Sequence, residues 1–147
     1  MLFLAALLQL TAAQPDPADR FRITIPRYET AVEVDARLDE EVWSRAERIT
    51  GFHQYQPVDG RPAEQRTIVL AWYSPSALHF GIMAYASDPR TVRATLAERD
   101  NIGSDDRVTI YLDTFDDRRR AYMFGVNPLG VQLDGVKTEG SGGPGFG

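Results

Sequence analysis

The chain has 147 residues, of which 43% are hydrophobic and 25% are charged. This composition is typical of one soluble folded domain and excludes disordered, collagen-like and multi-span membrane proteins. A net charge of −5 makes the chain a poor candidate for binding nucleic-acid phosphates, and the absence of cysteine excludes disulfides and thiolate zinc sites.

The chain begins with an apolar segment, residues 1–13, that carries no charged side chain and resembles the apolar stretch of an export signal. The alternative to an export signal is a buried N-terminal helix. A membrane-spanning helix is not an alternative, because thirteen residues are too few to span a bilayer. We predict a signal peptide over residues 1–13 and a polar linker over 14–20. The protein is then expected to be exported, to the periplasm, the outer membrane or the extracellular space.

Short runs rich in β-branched and aromatic residues recur along the rest of the chain, as they do in sandwiches and barrels. They predict an all-β fold, an antiparallel, jelly-roll-like β-sandwich over residues 21–139. The Gly-rich segment 140–147 predicts a loop at a truncated end, so that the last strands of the sandwich are expected beyond it. Strands are predicted near 22–25, 31–34, 52–55, 66–73, 77–86, 107–114, 120–127 and 130–137.

One helix and two tight turns are indicated within this pattern. Asp39 can cap a helix near 39–46, for which we expect two or three turns. Pro75, whose ring fixes the φ angle that a turn requires, lies between the runs 66–73 and 78–86, which predicts a β-hairpin. Asn127-Pro128-Leu129-Gly130 has the residue order of a type I turn between 120–126 and 131–136.

No pattern in the sequence indicates an active site. A Gly-x-Ser-x-Gly nucleophile elbow and Gly-rich phosphate-binding motifs are missing. The two histidines, His53 and His79, lack the His-Glu-x-x-His spacing of zinc proteases. We predict no catalytic residue in this chain; any hydrolysis of O-glycosyl bonds is expected from another part of the full-length protein.

Acidic residues cluster near the ends of the predicted strand 107–114. Such a cluster can hold Ca²⁺, which prefers carboxylate and carbonyl oxygens. The alternative is that these carboxylates form loops and pair with neighbouring arginines at the surface. The residues are Asp105, Asp106, Asp113, Asp116 and Asp117.

Aromatic side chains on the predicted strands are candidates for sugar contact, because the C–H face of a sugar ring packs against an aromatic ring. Trp72 lies on a strand that is apolar on both faces, and we predict that it belongs to the core. The aromatic residues on predicted strands are Trp72, Tyr73, Tyr85, Tyr111, Tyr122 and Phe124.

Five motifs, in this order and at this spacing, resemble the family 9 carbohydrate-binding modules, most closely those at the N-terminus of exported bacterial proteins with a long C-terminal region of unknown function. The motifs are Val34-Asp35; Leu38-Asp39-Glu40 with Trp43; Ala77-Leu78-His79-Phe80-Gly81; Ser104-Asp105-Asp106-Arg107 through Leu112-Asp113-Thr114-Phe115; and Tyr122-x-Phe124-x-Val126-Asn127-Pro128-x-Gly130 with Asp134.

The resemblance implies a β-sandwich that binds calcium and holds sugar-chain ends between two tryptophans, often beside a glycoside hydrolase. It implies carbohydrate contacts at Asn127, Arg107 and Tyr122 and calcium ligands at Asp88 and Asp106. Trp43 corresponds to a tryptophan that packs the short helix onto the sandwich. The implied partners are an oligo- or polysaccharide and the C-terminal region of the same protein, and no nucleic acid.

Three functions therefore compete at this stage. The first is a non-catalytic carbohydrate-binding module. The second is a structural or docking β-sandwich that has lost its sugar site, because Ile102-Gly103 stands where the resemblance places a clamping tryptophan. The third is a self-contained glycosidase, which rests only on the abundance of carboxylates.

Overall fold

The computed structural model describes residues 22–139, and the chain divides into two compact units, Met1–Tyr85 and Ala86–Gly147. The predicted signal peptide 1–13, the linker 14–20 and the Gly-rich loop 140–147 lie outside the described residues. The prediction of a single module over 21–139 stays a prediction.

The first unit contains a three-stranded antiparallel sheet in the order β1-β2-β3. The predicted hairpin of β2 and β3 is confirmed, and its turn is closed by the Ser74 N–H, which donates to the Ala77 carbonyl at 2.8 Å. The elements of this unit are α1 (Glu41–Ser44), β1 (Glu47–Ile49), β2 (Thr67–Tyr73) and β3 (Leu78–Ala84).

Three strand predictions in the first unit are wrong. Residues 22–25 and 31–34 form no strand, and 52–55 contributes only an isolated bridge between His53 and Pro62. Near the first of these runs, Pro26 has no N–H to donate, so the chain there makes only a single bridge, between Arg27 and Tyr73. β1 was not predicted; it forms because Glu47–Ile49 pairs with β2.

The helix is one turn long, not the two or three turns predicted, because only two residues separate its last residue, Ser44, from the first residue of β1, Glu47. Its N-cap is Glu40, so the prediction of an Asp39 cap is wrong. The Glu40 carboxylate accepts hydrogen bonds from the Glu33 N–H and the Trp43 indole N–H, each at 3.0 Å. Trp43 is thereby fixed against the sheet.

The core of the first unit is built around Trp72, which is fully buried and confirms the prediction for this residue. Trp43 meets its ring edge-on with centroids 6.0 Å apart, and His79 stacks on it at 3.8 Å. Leu38 closes over β3 at Gly81, where an added Cβ would lie 2.7 Å from Leu38 Cδ2. Trp43 therefore has the structural role predicted for it.

The second unit contains another antiparallel sheet, in the order β4-β5-β6. The predicted turn at Asn127–Gly130 is confirmed: the Gly130 N–H donates to the Asn127 carbonyl at 3.0 Å, and Gly130 has a φ of 81°. The elements are a 3₁₀ turn (Pro89–Thr91), β4 (Val108–Leu112), β5 (Arg120–Val126) and β6 (Gln132–Thr138).

These elements confirm the all-β, antiparallel class, with two three-stranded sheets and one short helix among residues 22–139. Two antiparallel sheets are the elements from which a β-sandwich is built. In the same part of the chain no helix is long and apolar enough to cross a membrane.

Candidate functional site

One face of the β4-β5-β6 sheet carries an exposed group of aromatic and aliphatic side chains, which we call the aromatic face. Directly opposed residues in an antiparallel pair share a face of the sheet. The register places Tyr122 between Leu112 and Val136, and Phe124 between Ile110 and Asp134. The aromatic face comprises Val108, Ile110, Leu112, Tyr122, Phe124, Val126, Gln132, Asp134 and Val136.

The two faces of this sheet differ in accessibility along the central strand. Tyr122 is 41% exposed and Phe124 is 50% exposed, whereas Ala121, which points to the opposite face, is 2% exposed. Gly125, also on that opposite face, is buried. Ala121 and Gly125 are thus buried on one side of β5, with Met123 half-buried between them, while the other side presents its rings to solvent.

A polar network borders the aromatic face along β6. The Arg99 guanidinium donates through Nε to Asp134 Oδ1 at 2.9 Å and through Nη1 to Gln132 Oε1 at 2.7 Å, and Arg99 Nη2 also contacts Asp134. The Asp100 N–H donates to the Gln132 carbonyl at 2.9 Å, which connects the segment that contains Arg99 to β6. Three planar hydrogen-bonding groups, those of Arg99, Gln132 and Asp134, therefore lie at or next to the residue that is paired with Phe124.

A third aromatic ring, that of Phe115, adjoins the aromatic face near the start of β5. The Phe115 and Tyr122 ring centroids are 6.3 Å apart, and the Arg120 guanidinium lies 4.5 Å from the centroid of Phe115. Arg120 is paired with the Asp117 carboxylate at 3.1 Å. Backbone N–H groups, first that of Arg119, hold the pKa of Asp117 below its usual value, so this carboxylate stays ionised beside the arginine.

Of the predicted carbohydrate contacts, Tyr122 lies on the aromatic face and Asn127 does not. Asn127 is 3% exposed. Its amide donates to the Thr95 carbonyl and to Asp105 Oδ2, both at 2.9 Å, and its Oδ1 accepts from the N–H groups of Leu129 and Val131. These bonds occupy both polar atoms of the side chain, so Asn127 stabilises the turn. Its contact with sugar stays a prediction.

Arg107 likewise acts within its own loop. Its Nη1 donates to the Gly103 carbonyl at 2.9 Å and to the Ile102 carbonyl at 3.3 Å. Ile102, at the position where a clamping tryptophan is expected, is 1% exposed and is one of the most deeply buried side chains among residues 22–139. The side chain at this position packs inside the protein, where it cannot contact a ligand.

The predicted calcium ligands are each engaged with other groups. Asp88 caps the 3₁₀ turn and pairs with the Arg90 guanidinium at 2.9 Å, which lowers the pKa of the carboxyl. Asp106 Oδ2 accepts the Arg93 N–H at 2.8 Å. Within residues 22–139 no group of three or more His, Asp or Glu side chains is arranged to hold a metal. Calcium binding stays a prediction.

The sequence did not indicate the polar border, because Arg99 and Asp134 are 35 positions apart and meet only through the fold. The two rings were recognisable as a pair, since Tyr122 and Phe124 are two residues apart on one strand. The alternation of Ala121 and Gly125 with these rings is the signal that distinguishes the buried side of β5 from the exposed side.

Comparison of the chain with protein-family models, curated proteins and solved structures finds no match. The resemblance to the family 9 carbohydrate-binding modules therefore stays a prediction.

Proposed function

We propose that the aromatic face binds a glycan without catalysing a reaction. The observation that carries this proposal is the pair of exposed rings, Tyr122 and Phe124, beside the planar polar groups of Arg99, Gln132 and Asp134. An aromatic ring can pack against the C–H face of a sugar, while a few fixed polar groups orient its hydroxyls.

The charges around the aromatic face support a neutral glycan over an acidic one. Arg99 is paired with Asp134, and Arg120 is paired with Asp117. Both of these arginines are thus balanced by a carboxylate, and an anionic sugar would have to compete with that carboxylate. A neutral hydroxyl can instead bind both members of such a pair.

The sequence adds two further parts to the proposal. The segment 1–13, with the features of an export signal, supports an exported location, where polysaccharides are accessible. The resemblance supports attachment to a C-terminal region of the same protein that acts in carbohydrate breakdown. The chain would then hold that region on its substrate.

Calorimetric titration with neutral oligo- and polysaccharides tests the proposal. We expect Phe124→Ala and Tyr122→Ala each to weaken binding about tenfold or more, which corresponds to about 1.4 kcal/mol. The matched control is Tyr111→Ala, which removes a ring of 45% exposure from the opposite face of the same sheet. Absence of binding to every glycan, or equal weakening by the control, would refute the proposal.

A second candidate is docking of the aromatic face onto a protein surface. It is favoured by the five aliphatic side chains on that face, because apolar patches of this kind are frequent at protein interfaces. Substitution of Arg99 by alanine separates the two functions. Arg99→Ala should weaken glycan binding, because glycan binding depends on the polar border. Docking should instead be weakened mainly by Val136→Asp, because Val136 is 60% exposed on the aromatic face.

A further inference from the structure

Three aromatic rings follow the direction of β5, and we call Phe115, Tyr122 and Phe124 the ring row. The Phe115 and Tyr122 ring centroids are 6.3 Å apart, and Tyr122 and Phe124, two residues apart on the strand, have Cα atoms separated by about 7 Å. The Arg120 guanidinium, from the residue two positions before Tyr122 on the same face, lies 4.5 Å from the Phe115 centroid. The three rings therefore follow one another along the strand, with Tyr122 in the middle. Phe115 is 53% exposed, so all three rings are accessible to a ligand.

The strands on either side of β5 add no ring to this row. Directly opposed residues of an antiparallel sheet share a face, and none of the four that oppose Tyr122 and Phe124 is aromatic. They are Leu112, Val136, Ile110 and Asp134. A ligand that packs on more than one ring must therefore extend along β5, whereas a ligand that crosses the strands meets one ring only.

An arginine–carboxylate pair lies at each end of the ring row. At one end Asp134, the residue opposite Phe124, is bound by Arg99. At the other end Arg120 is paired with Asp117 at 3.1 Å. Arg120 and Phe124 are four residues apart on β5, which separates their Cα atoms by about 14 Å. A single sugar ring is too small to reach both pairs, whereas several linked sugar units can place hydroxyls at each of them.

The aromatic face is accessible along the full length of β5. The residues of this strand that lie on the face are all exposed, from the first residue of the strand to the last. They are Arg120, Tyr122, Phe124 and Val126. Ile102, at the position where the resemblance places a clamping tryptophan, is buried and cannot close over a sugar. The accessible rings therefore suit a chain that continues past the ring row in both directions.

We propose that the aromatic face binds the interior of a linear, neutral glycan chain, which lies along β5 over the ring row and places hydroxyls at both arginine–carboxylate pairs. This inference rests on the glycan-binding function proposed above and adds the direction, the length and the part of the chain that is bound. Each ring contributes a separate contact with the C–H face of a sugar. Affinity should therefore grow with chain length until the ring row is covered, and it should not depend on either end of the chain.

Calorimetric titration of the whole protein chain with sugars of increasing length tests the length and the part of the glycan that is bound. The probes are cello-, xylo-, manno- and malto-oligosaccharides, from the monosaccharide to about the hexasaccharide, and a soluble polysaccharide of each type. For the series that binds, affinity should rise about tenfold or more from the disaccharide to the longest member. Reduction of the terminal aldehyde of that longest member to the alcohol should change its affinity less than about twofold, and each polysaccharide chain should bind several protein molecules.

The variant Phe115→Ala tests the ring row itself. It removes the ring at the end opposite Phe124, while a disaccharide still fits on the remaining rings beside the Arg99–Asp134 pair. The affinity for the longest oligosaccharide should therefore fall about tenfold, and the affinity for the disaccharide should stay unchanged. Tyr111→Ala, on the opposite face of the sheet, is the matched control and should change neither affinity. Both substituted rings are exposed, so folding is retained, and far-ultraviolet circular dichroism checks it.

Two kinds of result would overturn the inference. Absence of binding to every glycan would refute it together with the proposed function. Where a glycan does bind, three results would refute the inference alone: an affinity that is already maximal with the disaccharide, loss of binding when the terminal aldehyde is reduced, or no more than one protein molecule per polysaccharide chain. Equal weakening of short and long ligands by Phe115→Ala, or no weakening at all, would show that the glycan does not follow the ring row.

Discussion

Replacing Asn127 by alanine tests whether this residue holds the turn or contacts a ligand. The substitution removes both hydrogen bonds that the amide donates, to Thr95 and Asp105, and both that Oδ1 accepts, from Leu129 and Val131. The side chain is 3% exposed, so water does not replace these partners. The second unit should lose the connection between its turn and the loop that precedes β4.

The cost follows from the number of bonds. A typical internal hydrogen bond contributes about 1 kcal/mol net, and a bond to a charged group such as Asp105 contributes about 2 kcal/mol. With one bond to a charged group and three neutral bonds lost, Asn127→Ala should lower the free energy of unfolding by about 5 kcal/mol, and the melting temperature should fall by about 15 °C or more. Glycan binding by folded protein should change little.

Urea unfolding monitored by circular dichroism measures this loss, and Asn127→Asp is the informative companion. That variant keeps the acceptor for Leu129 and Val131 but sets a second carboxylate against Asp105. Combining it with Asp105→Asn restores a donor and an acceptor, so the double variant should be more stable than Asn127→Asp alone. A loss below about 1 kcal/mol for Asn127→Ala, or a loss of sugar binding by protein that remains fully folded, would refute the structural role.

Three further predictions concern the remaining packing and charge. Hydrogen bonds from Asn127 and Thr95 lower the pKa of Asp105, so the stability that this carboxylate contributes is present above the ordinary aspartate pKa and is lost as the pH falls through the lowered value. The free energy of unfolding in urea should therefore fall less steeply between about pH 7 and about pH 2 in Asp105→Asn than in the unmodified protein. An equally steep fall in both proteins would contradict this. Gly81→Ala should cost about 1–2 kcal/mol because its Cβ would lie 2.7 Å from Leu38 Cδ2 and 3.0 Å from Trp43 Cζ3. Thermal unfolding should show that Gly81→Ala with Leu38→Ala loses less than the sum of the two single substitutions, and a strictly additive loss would contradict the contact with Leu38. Trp72→Ala should cost about 3–5 kcal/mol in chemical unfolding, whereas Tyr122→Ala, which removes an exposed ring, should cost under about 1 kcal/mol; equal costs would place both rings in similar surroundings.

The strands that were predicted correctly are those with strong local signals. Pro75 and Pro128 fix turns through their own backbone geometry, so the hairpins around them could be inferred from short stretches of sequence. β1 could not be inferred, because two of its three residues are charged and it forms only through pairing with β2. The run 22–25 shows the reverse case, in which suitable residues find no partner strand.

The candidate site was only half predictable for a related reason. Period-two spacing places Tyr122 and Phe124 on one face, but the periodicity alone does not say which face of β5 meets solvent. Arg99 reaches Asp134 and Gln132 across more than thirty positions, and only the register of β6 with the segment around Asp100 brings them together. Local sequence therefore predicts the rings, and tertiary structure supplies their polar neighbours.

The residues that carry the family resemblance have unequal bearing on function. Trp43 packs the helix onto the first sheet, and Asn127 and Gly130 form the turn that leads into β6, so these motifs maintain the fold. A protein can keep such residues and still change or lose its ligand, since they do not contact the solvent-exposed face. The decision between glycan binding and docking therefore depends on Arg99 and Val136, whose side chains are exposed and whose substitution leaves the turn and the core intact.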